Sequence, residues 1–229
     1  MNNIVNVDNL LSESKNFQER KPTKWAFIEN FIEPKLYEEL YDTFPKLDNS
    51  WFTEDSYDKL SFKKFWITNK NDPVIYQKDN NASNAWNKFM EYIWSDEFVS
   101  KLREFSGVPV TRLKYFSWMM LKKDGFQMPH IHNVGPSTLL VFIYFSKNWK
   151  KGDPGGTYLS RELDESTIEF EPYNLDNTSL IVQDGPHAAH GARRVIKDVE
   201  RKAIQLYFEN WTEETGWSEI KKETELIDL

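Results

Sequence analysis

The sequence predicts an α+β domain in which helices come first and a β-sandwich or jelly roll follows. Apolar residues recur at helical spacing as far as Gly107, and from Pro109 onward the period shortens to two within brief runs divided by turn residues. Composition allows a packed core. The 229 residues are 39% hydrophobic and 15% aromatic, which excludes the disordered class.

Residues 1–24 read as a polar arm leading into a short strand, Trp25-Ala26-Phe27-Ile28. Glu33-Pro34 opens the first helix, since proline is tolerated at the first helical position. Its stripe is Tyr37, Leu40, Tyr41 and Phe44, widened by Leu36 and stopped by Pro45. Trp86, Phe89, Met90, Ile93 and Trp94 form a second stripe. A third helix starts near Ser95-Asp96, carries Phe98, Leu102 and Phe105, and ends at Gly107, a residue suited to a left-handed cap. Strands are then expected over 113–121, 138–145, 157–161, 167–171, 179–183, 187–195 and 203–208. Turn chemistry separates them at Lys123-Asp124-Gly125, at 152–156, at 174–177 and at Lys197-Asp198. The expected organisation is one domain over 25–211, helical over 33–107 with a jelly-roll core over 109–210, and a tail over 212–229. A loose helix is expected in that tail, from Trp211 on.

Several classes are excluded or disfavoured. The chain has no cysteine, so thiolate chemistry and disulfides are absent, and any transition metal must be held by His, Asp or Glu. A net charge of -7 argues against a nucleic-acid partner, which would need a basic stripe. Residues 1–17 lack the apolar run of a signal peptide, and the longest apolar stretch, 139–145, is strand-length. No membrane partner and a cytoplasmic location are therefore expected; oligomeric state leaves no trace.

All four histidines fall between 130 and 190. His130 and His132 are two apart, so on a strand both point to one face. His187 and His190 are three apart, so one of them is expected to share that pocket, with His187 structural or lining it. A lone histidine in a strand is more often a hydrogen-bonded residue than a ligand, and Arg201 alone would be an ordinary surface arginine. If Lys197-Asp198 turns a hairpin, Arg201 lies on the strand beside that of His190, about 13 Å along it. Arg201, Ala203, Gln205 and Tyr207 would share one face, with Ile204, Leu206 and Phe208 on the other. A planar guanidinium on the polar face can grip a carboxylate in two hydrogen bonds.

The segment Gly125-Phe126-Gln127-Met128-Pro129-His130-Ile131-His132 resembles the glycine, short gap and His-x-Asp pattern of prolyl-hydroxylase-like iron(II)/2-oxoglutarate-dependent oxygenases. Residues 137–144 look like the apolar strand that follows it in that family, and Gly155-Gly156-Thr157-Tyr158-Leu159 like its Gly-Gly step. Leu180-Ile181-Val182, then His190-Gly191, resemble the run into the distal histidine. Arg201, eleven positions later, stands where the family keeps its 2-oxoglutarate arginine. The resemblance covers about residues 113–211 and rests on the order and spacing of motifs, none of which decides alone.

It implies a double-stranded β-helix (jelly roll) with N-terminal helices packed on the major sheet. It also implies Fe(II), 2-oxoglutarate and O2 as cofactor and cosubstrates, with metal ligands His130, His132 and His190 and cosubstrate residue Arg201. The implied reaction is hydroxylation of an unactivated C–H bond on a small molecule or peptidyl residue, with release of succinate and CO2. Tyr115, Trp118 and Tyr207 are candidates to line the substrate pocket, although strand aromatics more often serve the core. The departure from the pattern is His132, which replaces the carboxylate of the facial triad, and no Asp or Glu lies close by in sequence. Either His132 ligates, or it swings away and leaves the position to water or an anion, or the site prefers zinc; the first is expected. Two other functions fit parts of the pattern: a three-histidine dioxygenase or zinc lyase that needs no 2-oxoglutarate, and a non-catalytic jelly-roll binding module.

Overall fold

Among the described residues, short runs of mostly apolar and β-branched residues pair into eleven antiparallel strands: β1 (Trp25–Glu29), β2 (Phe52–Ser56), β3 (Lys59–Phe65), β4 (Arg112–Leu121), β5 (Phe126–His130), β6 (Thr138–Phe145), β7 (Thr157–Ser160), β8 (Ile168–Phe170), β9 (Asp176–Gln183), β10 (His190–Ala192) and β11 (Arg201–Glu209). The computed structural model describes residues 4–67, 75–132, 134 and 137–211. The strand order β1-β9-β6-β11-β4-β3-β5-β10-β7-β8, with β2 paired to β3, is that of a sheet curled on itself. β1 to β3 in that order form the larger wall, and β5, β10, β7 and β8 the smaller one.

Strand β6 shows how the sequence sets the layers. All eight of its residues are buried. Leu139, Val141, Ile143 and Phe145 face the helices, whereas Leu140, Phe142 and Tyr144 face the lumen. Burial of each such side chain contributes about 2 kcal/mol. On β11 the same alternation puts Ile204, Leu206 and Phe208 under the helices and Ala203 in the lumen.

Helices α3 (Pro34–Asp42), α4 (Asn84–Ile93) and α5 (Asp96–Ser106) follow the three stripes read in the sequence, capped by the side chains of Glu33, Ser83 and Ser95. Gly107 closes α5 with φ of 68°, a left-handed conformation that glycine adopts without steric cost. Phe98 on α5 packs on Phe208, ring centroids 5.8 Å apart.

Three expectations need correction. Residues 1–24 are not simply a polar arm. They include two short helices, α1 (Val7–Ser12) and α2 (Ser14–Glu19), anchored by the buried side chains of Leu10 and Phe17. The span 33–107 is not wholly helical, because β2 and β3 form a hairpin within it. That hairpin mixes charged with aromatic residues, so it shows neither period cleanly. Finally, β10 and β11 are not hairpin partners. The edges of β10 are taken by β5 and β7, so the chain after Ala192 crosses to the other wall, where β11 pairs with β4 and β6. The helix expected from Trp211 onward lies, apart from Trp211, outside the described residues.

Candidate metal centre

β5 and β10 pair so that His190 stands directly opposite His130. His132 follows just beyond the end of β5. One ring nitrogen of each of the three lies within 4.8 Å of the others, and their ring centroids are 4.5–5.1 Å apart. The backbone fixes two tautomers. Nδ1–H of His130 donates to the Met128 carbonyl at 2.9 Å, and Nδ1–H of His190 donates to the Ala188 carbonyl at 2.8 Å. A carbonyl only accepts, so in both rings the lone pair is at Nε2. Burial, then the other two rings, push His190 down to about 3, and burial lowers His130 as well. Neutral imidazoles are the form that binds metal.

His132 is held by a carboxylate. Its Nδ1 lies 2.7 Å from Oδ2 of Asp184, which also accepts from the Tyr207 hydroxyl at 2.5 Å, while Gly185 N–H donates to Oδ1 at 2.9 Å. Burial alone would raise the Asp184 carboxyl, but the His132 bond and charge, with the Tyr207 hydroxyl, hold it below the usual range. Tyr207 is pushed the other way by burial and by Asp184, and so remains a donor. The third ring thus also presents Nε2.

Arg201 is 1% exposed, and its guanidinium crosses the lumen to the smaller wall, where Nη2 donates to Thr157 Oγ1 at 2.9 Å. Tyr144 lies alongside, its ring centroid 5.0 Å from Cζ, and its hydroxyl accepts from the Thr157 N–H. Nε and Nη1 have no hydrogen-bond partner, and no carboxylate among the described residues pairs with the group. Its offset from the histidines follows from the register. The Phe142 ring is 6.2 Å from that of His190, and Phe142 pairs with Gln205, four positions along β11 from Arg201, or about 13 Å. That is an offset of the backbone along β11, across two walls rather than adjacent strands; the guanidinium itself reaches Thr157, two positions along β7 from Leu159, the partner of His190.

Tyr115 and Tyr207 line a cavity of about 320 Å³ with His132, Gln205, Lys63 and Lys114. Trp118 does not. It pairs with Ile204 on the helix-facing side and packs against Trp66, Trp86 and Phe116, so strand alternation assigns it to the core. His187 is exposed and away from the other three rings, its carbonyl accepting from the Thr23 hydroxyl. Arg193, three residues after His190, is paired to Glu171. Sequence reasoning missed Asp184, Thr157 and Tyr144. Asp184 had one visible signal, a lone acid closing an apolar strand.

Solved structures share this arrangement of walls. A prolyl-4-hydroxylase from Pseudomonas putida superposes with a TM-score of 0.66 at 10% identity, over 89% of this chain and 100% of that one. The chain has the fold of the 2-oxoglutarate/iron oxygenases. A prolyl hydroxylase from Trichoplax adhaerens, in complex with a hypoxia inducible factor peptide, matches at 0.58 and 12% identity, over 88% of each chain. HygX from Streptomyces hygroscopicus, with nickel and 2-oxoglutarate bound, matches at 0.56 and 14%, over 83% of this chain and 85% of that one. No family model and no curated protein matches the sequence. No helix among the described residues is long and apolar enough to cross a membrane.

Proposed function

We propose that this chain is an iron(II)- and 2-oxoglutarate-dependent oxygenase, its metal held by His130, His132 and His190 and its cosubstrate by Arg201. The observation that carries the reading is the buried guanidinium with two unpartnered nitrogens, in the same lumen as three imidazoles that turn Nε2 inward. A buried charge left uncompensated costs several kcal/mol, so the site is built for an anion. The far carboxylate of 2-oxoglutarate fits that fork, and Thr157, which the guanidinium reaches, is two positions along β7 from Leu159, the cross-strand partner of His190, or about 7 Å, a gap the length of the diacid. This need for an anion disfavours a three-histidine enzyme that works without the diacid.

When bound, iron would let O2 act as the oxidant, with the oxidative decarboxylation of 2-oxoglutarate to succinate and CO2 supplying two electrons, so that one oxygen atom hydroxylates an unactivated C–H bond. The protein orients and shields. Met128 and Ala188 carbonyls fix two imidazole tautomers, and Asp184 fixes the third. Thr157 and Tyr144 aim the guanidinium. Phe142, Leu159 and Ala203 keep solvent from the space between.

The test is anaerobic titration of Fe(II) and 2-oxoglutarate into metal-free protein. A visible charge-transfer band of the metal chelate is expected from the wild type. Arg201→Ala should bind iron and form no band. Wild-type protein that binds iron but gives no band overturns the proposal.

A further inference from the structure

We infer that the substrate is a small organic acid, a carboxylate that also carries an N–H or O–H group, received by Lys63, Lys114 and Gln205. The inference rests on the oxygenase reading, since it concerns the cavity that His132 lines.

Charge is the first argument. Glu54 is shared by Lys59 at 3.4 Å and Lys63 at 3.2 Å, and Glu209 by Arg112 at 2.8 Å and Lys114 at 3.4 Å. Among the described residues, four cations thus meet Glu54, Glu209 and, beside Lys59, Asp58, and two of them, Lys63 and Lys114, line the cavity, in a chain whose net charge is -7. The Asp184 carboxylate nearby is already occupied by His132 and Tyr207. Burial draws Lys114 down to about 8 against the pull of Glu209, so its charge is poorly hydrated and gains from an incoming anion.

Gln205 supplies the second argument. It is 7% exposed, lines the cavity, and its Oε1 has no partner. A buried acceptor left without a donor is unfavourable, and a ligand N–H or O–H removes that cost. Size supplies the third. A volume of about 320 Å³ lies at the lower end for ligand sites, room for a metabolite between the rings of Tyr115 and Tyr207. The cluster is not a second grip on 2-oxoglutarate. Lys114 is seven positions along β4 from Leu121, the cross-strand partner of Arg201, or about 23 Å.

The experiment is anaerobic calorimetry on protein carrying Fe(II) and 2-oxoglutarate. The probes are the common L-amino acids and their 2-hydroxy analogues, the matching neutral primary amides, and inorganic phosphate. At least one acid should bind, its amide about tenfold or more weakly, and Lys63→Met and Lys114→Met should each weaken the acid by about tenfold. Gln205→Leu should weaken the same acid. Amides equal to acids, phosphate equal to the best acid, or no acid bound by protein that shows the chelate band, each overturns the inference and leaves the oxygenase reading standing. Protein that shows no band yet prefers an acid to its amide supports this inference and removes the cofactor assignment.

Discussion

Asp184 Oδ2 lies 2.7 Å from His132 Nδ1, so a carboxylate stands directly behind the ring that takes the place of the acid in the His-x-Asp pattern. The imidazole is interposed, and the acid comes from the end of β9 rather than from the loop after β5. Such a partner fixes the ring, raises its basicity and offsets the extra positive charge of a three-histidine site. Asp184→Asn should fold, because the amide fills the same volume, but bind Fe(II) or Zn(II) about tenfold or more weakly. Competition with a chromophoric chelator measures this. Tyr207→Phe, which removes only one of the donors to Asp184, should have a smaller effect. Undiminished affinity in Asp184→Asn would show that His132 needs no orienting carboxylate.

Arg201 gives a prediction in which stability and binding move in opposite directions. Its uncompensated charge is a cost in the ligand-free fold, so Arg201→Met, of similar length and apolar, should raise the melting temperature of the free protein. Added 2-oxoglutarate with metal should stabilise the wild type and leave the variant unchanged. Scanning fluorimetry with and without ligand gives both comparisons. A variant that melts lower than the wild type and still responds to 2-oxoglutarate would contradict the assignment.

How much of this was legible in the sequence depended on how local the determining pattern was. Stripes such as Trp86, Phe89, Met90 and Ile93, and the apolar run of β6, repeat within a few residues and translate directly into elements. The His130/His132 pair was legible for the same reason. Asp184 was not, because its link to His132 spans 52 residues and depends on how β9 ends beside β5. Trp118 was left between pocket and core because one step of strand alternation reverses its face, and the aromatic itself carries no sign of which face it takes. Arg201 sits on the other wall rather than on a strand beside β10, because pairing partners are a property of the sheet and not of the turn between two strands.

The buried imidazoles set an acid limit on the metal-free fold. Burial and the neighbouring rings hold His190 at about 3, whereas an unfolded histidine takes its proton near 6.5. Between these values the unfolded chain binds more protons than the folded one, so stability rises with pH through the window and levels off above it. Acidification below 6.5 should cost up to about 1.4 kcal/mol per pH unit for this residue. Urea unfolding at pH 7.5 and pH 5 should show a larger loss in the wild type than in His190→Gln. Equal losses would mean that the ring is already protonated in the fold.

Gly191 follows His190 in β10, and the close approach of its neighbours explains why no side chain is present. A Cβ there would stand 2.5 Å from the Tyr158 hydroxyl and 2.6 Å from the Gln127 carbonyl oxygen. The hydroxyl can yield, but the carbonyl belongs to β5 and cannot move without shifting the strand that carries His130. Gly191→Ala should therefore lose about 1–3 kcal/mol of stability and also weaken metal binding, as His130 and His190 are pushed apart. Adding Tyr158→Phe should recover only part of the loss, because the clashes with the Gln127 carbonyl at 2.6 Å and with the ring carbon Cζ of residue 158 at 2.7 Å remain. Full recovery in the double variant would place the strain at the hydroxyl alone and free β5 from any role in spacing the two rings.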